Sequence, residues 1–430
     1  MLVFMTLGLV VFMALGMPIS MALCVTGGIA YYVNIDDPIL FWYSSEAISL
    51  RMYYSLSNFL LLSIPFFILA AKLMNSAGIT TRIFNFANIS VGWLPGGLGH
   101  ANVLASLIFA GMSGTAVSDA AGLGQIELKA MSDNGYDTKF SVGITGASST
   151  IGPIFPPSVP MVIYSLISGA SVGSLFIGGI VPGVMMTLAL MGIIYFMAKR
   201  KSYGNYVKPT SSEAYRACID VLPPIMTPVL LLIGIWGGWF TPSEAAVIAF
   251  TYSFFLSFVV YRDMGWKHLL GVFNETAKET ATIGLITCSA AFYGWVLARS
   301  GVTAQMGQMI MGVTTNPLAM LMVINGFLLI VGCFMEPVSA ILVIGPVLVG
   351  ITNRLGIDPV HFGVVMVLNL MIGLLTPPFG VVLFVMQKVS GLSFVDVVKG
   401  TIPFMIPLLV VLLLITVFPE IILFLPRMLM

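Results

Sequence analysis

Apolar stretches of about 20 residues recur along the whole 430-residue chain. That is the length a helix needs to cross the roughly 30 Å hydrocarbon core of a bilayer. They leave no room for a soluble domain. Only 8% of the residues are charged and 58% are hydrophobic, against roughly a quarter charged in a soluble domain. The chain therefore reads as an all-α polytopic membrane protein with the lipid bilayer as its solvent. Eighteen Lys and Arg against 17 Asp and Glu create no basic field, so nucleic acid is excluded as a partner. The opening MLVFMTLGLVVFMALGMPIS lacks a basic n-region and a small-residue cleavage site. It reads as a membrane segment of the mature chain. Cys24, Cys218, Cys288 and Cys333 show no CxxC spacing and read as free, packed thiols.

Charge placement suggests a topology. The longest polar stretch, Ala198 to Asp220, carries Lys199, Arg200, Lys201, Lys208 and Arg216. Short basic loops stay cytoplasmic, so residues 201–220 are expected to be a cytoplasmic linker. The 41 residues from Val221 to Tyr261 are too long for one crossing, since they would make a helix of about 60 Å. They should break at GGWFTPSE, with Pro242 and Ser243 opening a second helix. The stretch from Asn34 to Ser49 holds Asp36, Asp37 and Glu46 and no base; it is expected to be an outside loop. Lys72, Arg82, Lys129 and Lys139 then fall inside.

The two halves match at a constant separation of 221 positions, as from Gly111 to Gly332. Ser118 pairs with Ser339, Gly135 with Gly356, Asp137 with Asp358, Ile151-Gly152 with Ile372-Gly373, Pro156-Pro157 with Pro377-Pro378, and Pro182 with Pro403. NSAGIT at residue 75 resembles ARSGVT at residue 298, and the surroundings of Pro18 resemble those of Pro242. Chance matches in apolar sequence would favour Leu, Ile and Val, yet these fall on Gly, Pro, Ser and Asp. The charge pattern makes the halves face opposite ways, with about five crossings and one re-entrant hairpin each. Residues 1–200 form the first inverted repeat (hairpin about 98–136, broken helix about 138–167). Residues 221–430 form the second (hairpin about 317–357, broken helix about 359–388). Inverted repeats are a mark of secondary transporters, with the site near the midplane.

Four segments do not read as ordinary spans. FAGMSGTAVSDAAGLG (109–124) is short, rich in Gly and Ser, and carries Asp119. VGCFMEPVSAILVIGP (331–346) matches it in the repeat and carries Glu336. TGASSTIGPIFPPSVP (145–160) and NLMIGLLTPPFG (369–380) both contain double prolines. A proline pair frees several backbone carbonyls, and broken backbone survives at membrane depth only where protein or a cavity covers it. Free carbonyls and hydroxyls are hard oxygen ligands for an alkali cation. Half-helix N-termini attract anions. Asp119 and Glu336 are intramembrane carboxylates, costly and therefore functional or capping groups. Asp137 and Asp358 sit in G-x-D turns and read as N-caps. His100, His268 and His361 lie near segment ends and do not read as a proton relay. No HExxH, Walker A or Cys/His ligand spacing occurs, so the chain is not expected to be an enzyme.

At these residues the sequence resembles the large membrane subunit of the TRAP (tripartite ATP-independent periplasmic) transporters. FAGMSGTAVSDAAGLG, SSTIGPIFPPS and NLMIGLLTPPFG carry the likeness, which runs over nearly the whole chain. The resemblance implies a sodium-driven importer of the bacterial inner membrane, built as a scaffold plus an elevator transport domain. It implies two partners, a small four-helix membrane subunit and a periplasmic substrate-binding protein, and an organic acid as substrate. Carried onto matching motifs, one sodium site draws on Ser113, Gly114, Thr115, Ser148, Ser149, Gly152 and Pro153. The other draws on Gly332, Glu336, Asn369, Gly373 and Thr376. The substrate would lie near Ser118, Asp119, Pro156, Pro157 and Ser158. The site segments contain no Arg or Lys, which suits one carboxylate on a large polar ligand such as sialic acid better than a small C4-dicarboxylate. A sodium/anion symporter that needs no binding protein is the alternative reading. An intramembrane hydrolase using Asp119 and Glu336 is a more distant one.

Overall fold

A computed structural model describes residues 2–33, 38–76, 78–201, 209–262, 264–300, 314 and 316–430. Among these residues the chain is helical throughout and contains no strand. Seven helices are long and apolar enough to cross a membrane, or eight if one bent pair counts as a single span. The protein is an all-α, multi-pass membrane protein.

The first half opens with α1 (Leu2–Ala14) and α2 (Ile19–Val33), parted where Gly16 takes a φ of 84° and Pro18 follows. Next come α3 (Pro38–Leu56) and α4 (Ser63–Ser76), bent by 49° at a short 3-10 turn capped by Asn58. The outside loop expected from 34 to 49 is therefore mostly helix. Pro38 starts α3, as proline does well at a first helical position. Residues 34–37, with Asp36 and Asp37, lie outside the described residues. After α5 (Ile79–Val91), helix α6 (Gly97–Ser113), the short α7 (Ala116–Ala121) and α8 (Leu123–Asp133) cover the expected first hairpin. Two half-helices follow, α9 (Thr138–Ser149) and α10 (Val159–Ser168), and then α11 (Val172–Lys201).

The polar linker is shorter than 201–220. Helix α12 (Ser211–Trp236) begins inside it, because Thr210 and Glu213 form a capping box. Each side chain accepts or receives a backbone N–H that the first turn would otherwise orphan. Residues 202–208, including Lys208, lie outside the described residues. The expected break before Pro242 is present: Gly238 has a φ of 66°, and a second capping box, Thr241 with Glu244, starts α13 (Pro242–Phe255). The polar stretch after Asp263 joins a long helix. From Trp266 it is the front of α14 (Trp266–Arg299), a 34-residue helix. Lys72 ties α4 to that front end through Glu275 and Glu279, each at 2.8 Å. Residues 301–303, the core of the ARSGVT motif, lie outside the described residues.

The second half then repeats the pattern of the first. Helices α15 (Pro317–Phe334) and α16 (Pro337–Arg354) cover the expected second hairpin. The half-helices α17 (Pro359–Gly373) and α18 (Val381–Ser390) are followed by α19 (Phe394–Val417) and α20 (Glu420–Leu429). Asp137 caps α9 by accepting from Lys139 N at 3.1 Å. Asp358 caps α17 by accepting from Val360 N at 2.8 Å. The two N-caps were legible as G-x-D turns.

Helix packing crosses the halves. The first half-helix α9 lies along α19, so closely that a Cβ on Gly143 would sit 2.0 Å from the Gly400 oxygen. The hairpin helix α7 packs on α18, and α10 packs on α16. Tyr164 of α10 donates to the Pro359 carbonyl at 2.8 Å. Each helix break is thus held between its own hairpin and an element of the other half.

Candidate functional site

The first break runs from Thr150 to Ser158 and contains a cis Pro156–Pro157 bond. Its backbone continues in tight turns: Ile151 N donates to Ser148 O at 3.0 Å, and Ile154 N to Ile151 O at 3.0 Å. Ser158 caps the half-helix that follows. It accepts from Met161 N and donates to the Pro153 carbonyl. Pro153 O and Ser158 Oγ, both read as site groups, are therefore used within the break itself.

The hairpin tip meets this break directly. Gly114 has a φ of 61°, and a Cβ there would lie 2.8 Å from the Pro157 carbonyl. Only glycine combines that conformation with so close an approach. Thr115 follows in an extended conformation and begins α7, its hydroxyl making no capping bond. One turn later Asp119 points back into the break. A Cβ on Gly152 would fall 2.4 Å from Asp119 Oδ2. Ser113 is its neighbour across the tip. Ser113 Oγ and both Asp119 oxygens are buried; the Ser113 hydroxyl faces the Asp119 carboxylate, and no other group among the described residues bonds these three atoms. Buried polar groups are almost always paired. A buried hydroxyl and carboxylate with no other partner fit a small cation with hard oxygen preference. Ser118 is half-buried on α7, while Pro156, Pro157 and Ser158 are buried.

Ser148 is turned away from that point into a buried polar network. It donates to Asn102 Oδ1 at 2.7 Å and receives from Ser106 at 3.0 Å, while Asn102 donates to Thr145 at 2.7 Å. Ser149 donates to Gly146 O at 2.8 Å. A second buried carboxylate, absent from the sequence reading, joins this region. Glu127 is 1% exposed, and its Oε1 has no partner among the described residues. On α8, Gly124 touches Thr145, and Met131 touches Asn102. Glu127 lies between them on the same face. The signal was available as one helical face, 124, 127 and 131, in GQIELKAM. The flanking Gln125 and Lys129 interrupt the apolar pattern around that face.

The second break, Leu374 to Gly380, also contains a cis proline pair, Pro377–Pro378. It is built differently. Gly332 and Gly373 are a helix crossing: a Cβ on Gly373 would lie 2.5 Å from Gly332 Cα. Asn369 is fully buried and donates to Asn325 O and Oδ1, both at 3.0 Å; its own Oδ1 is unpaired among the described residues. Asn325 in turn donates to Thr416 at 2.9 Å. Glu336 directs its carboxylate to its own helix, accepting from Ser339 N at 3.1 Å. Thr376 donates to Ile372 O at 2.9 Å. Pro377 and Pro378 are exposed, whereas their counterparts Pro156 and Pro157 are buried. So the structure brings Gly332 and Gly373 together at a crossing, ties Asn369 to Asn325, and uses Glu336 as an N-cap.

Paired hairpins and broken helices in a helical membrane protein define a transporter architecture. Solved structures agree at the level of fold. The YdaH transporter of Alcanivorax borkumensis superposes with a TM-score of 0.66 at 13% identity, covering 96% of this chain and 98% of that one. MtrF of Neisseria gonorrhoeae superposes with a TM-score of 0.53 at 12% identity, over 96% and 94%. The chain belongs to the tripartite ATP-independent periplasmic transporters as their DctM component, whose family model matches residues 6–421. That family consists of transporter permeases rather than enzymes. The sialic acid TRAP transporter large permease protein SiaM of Vibrio cholerae is 43% identical over 378 residues, 88% of each chain. The sialic acid TRAP transporter permease protein SiaT of Haemophilus influenzae is 42% identical over 90% of this chain and 63% of its own length. The C4-dicarboxylate TRAP transporter large permease protein DctM of Pseudomonas aeruginosa is 36% identical over 89% and 90%.

Proposed function

We propose that this chain imports an organic acid across the bacterial inner membrane, driven by sodium, with its substrate delivered by a periplasmic binding protein. A small four-helix membrane subunit completes the complex. The observation that carries the sodium reading is the buried Ser113–Asp119 pair, a hydroxyl and a carboxylate with no third partner among the described residues, at the contact between hairpin tip and helix break. Ser113, Asp119 and the backbone around Gly152 would hold one cation. Asn369, whose buried Oδ1 is unpaired, is the matching donor in the second half. A bound cation supplies the positive charge that the site segments lack. The half-helices α10 and α18 then present their N-termini to a carboxylate. Two inverted repeats divide into a scaffold and a transport domain that slides as an elevator. Two sodium ions accompanying one singly charged anion would move one net charge, worth about 2.3 kcal/mol per 100 mV.

Sialic acid is favoured as substrate. The two relatives named for it are 43% and 42% identical, against 36% for the dicarboxylate permease. The site segments also have no Arg or Lys with which to clamp a second carboxylate. The test is a sodium titration of uptake by Ser113→Ala and Thr376→Ala. The reading expects a raised sodium requirement in Ser113→Ala and a smaller rise in Thr376→Ala, whose hydroxyl is already bonded to its own helix. A sodium titration unchanged in both variants would remove the site assignment.

A further inference from the structure

A cavity of about 700 Å³ opens beside the candidate site. It begins at Ala121, two residues after Asp119, and is lined by both halves of the chain: Gln125, Lys129 and Ser132 of α8, Ser141 of α9, and Lys388 and Ser390 at the end of α18. Its size falls within the range of small-molecule sites, roughly 300–1,000 Å³. Two features of its lining favour an anion. Lys129 and Lys388 both line it, and neither has an ion-pair partner among the described residues. The remaining polar lining consists of hydroxyls and one amide, with no carboxylate. Lys139, next to the cavity wall, is paired with Asp396 at 2.7 Å, so the charged groups of the lining itself are the two unpaired lysines. Lys388 sits in the last turn of α18, where the helix dipole also favours a cation.

We propose that this cavity is an anion vestibule in which Lys129 and Lys388 receive a carboxylate of the substrate between the candidate site and the cytoplasmic face. The proposal rests on the transport reading for the identity of its ligand, but not for the charge of the cavity. The division of labour is chemical. The tips and breaks contain no Arg or Lys, so an anion released from them meets its first fixed positive side chains here. The lysines sit at the exit rather than in the tight site, which draws the anion out without holding it there. Basic residues on this side also agree with a cytoplasmic opening.

The experiment uses the full chain in membrane vesicles, with Cys24, Cys218, Cys288 and Cys333 replaced and Ser132→Cys introduced. The new thiol is labelled with a sulfonate-bearing and a trimethylammonium-bearing methanethiosulfonate, and the ratio of the two rates is read. The proposal expects the anionic reagent to be favoured, from the cytoplasmic side only. Lys129→Gln and Lys388→Gln should each lower the ratio by about fourfold, the effect of a unit charge roughly 10 Å away in a largely aqueous cavity. A ratio unchanged in both variants overturns the proposal. Sialic acid or succinate should slow labelling in the parent and less so in Lys129→Gln. A shifted ratio without protection by either acid also overturns it, since the cavity would then be charged but off the path. Failure of uptake once the small membrane subunit and the binding protein are added, with the ratios as expected, would count against the transport reading alone.

Discussion

Gly152→Ala is the substitution most directed at the proposed cation site. A Cβ there would lie 2.4 Å from Asp119 Oδ2, 3.3 Å from Asp119 Cγ and 3.3 Å from Ser149 O. Ordinary carbon–oxygen contact is about 3.4 Å, so the carboxylate must move by about 1 Å. Asp119 is 2% exposed and sits on a helix of only six residues, which leaves little room for the shift. Overpacking of this kind costs about 1–3 kcal/mol. Where the whole cost falls on the cation-bound state, the sodium concentration for half-maximal uptake rises about 5- to 150-fold, at 1.4 kcal/mol per tenfold. The assay is sodium-dependent uptake into proteoliposomes, with thermal stability measured with and without sodium. The expected result is a raised sodium requirement together with a smaller stabilisation by sodium. An unchanged sodium dependence in a well-folded variant would refute the argument that Asp119 acts at this point.

Other outcomes follow from the packing. Gly373→Ala should force α15 and α17 apart by about 1 Å and destabilise the purified protein by about 1–3 kcal/mol, read as a lower Tm. Asn369→Leu removes the donor to Asn325 O and Oδ1 and should cost a comparable 1–3 kcal/mol, because buried acceptors are left unpaired. Lys139→Met should leave Tm nearly unchanged, since an exposed ion pair contributes about 0–1 kcal/mol. Gly400→Val should instead prevent stable folding, because a Cβ at Gly400 already lies 2.3 Å from the Lys139 carbonyl.

Much of this architecture was legible in the chain. The double prolines mark both breaks, and Gly114 marks the hairpin tip, because each imposes a local backbone geometry that composition cannot hide. The caps Asp137 and Asp358 were legible for the same reason. The start of α12 was also written locally, in Thr210 and Glu213, but the surrounding basic residues resembled a loop. Other features depend on contacts between distant segments. Gly332 and Gly373 read in the sequence only as members of a cation site; their close mutual approach, which also makes them packing residues, emerges only from the folded chain. Glu336 reads in sequence as a functional or a capping group, and only the folded chain shows its carboxylate capping α16. Glu127 and the Asn102–Ser148 network emerge only once α6, α8 and α9 are packed together. The unequal exposure of the two proline pairs was also hidden, because the repeat makes them equivalent in sequence and their neighbours do not.

The most direct measurement of the central claim is uptake into proteoliposomes holding this chain and its small membrane subunit, under an inward sodium gradient. Labelled sialic acid and succinate are compared, each with and without its periplasmic binding protein. The account predicts uptake of sialic acid that requires both the gradient and the binding protein. Sodium-driven uptake that proceeds equally well without the binding protein would contradict it, as would uptake indifferent to sodium.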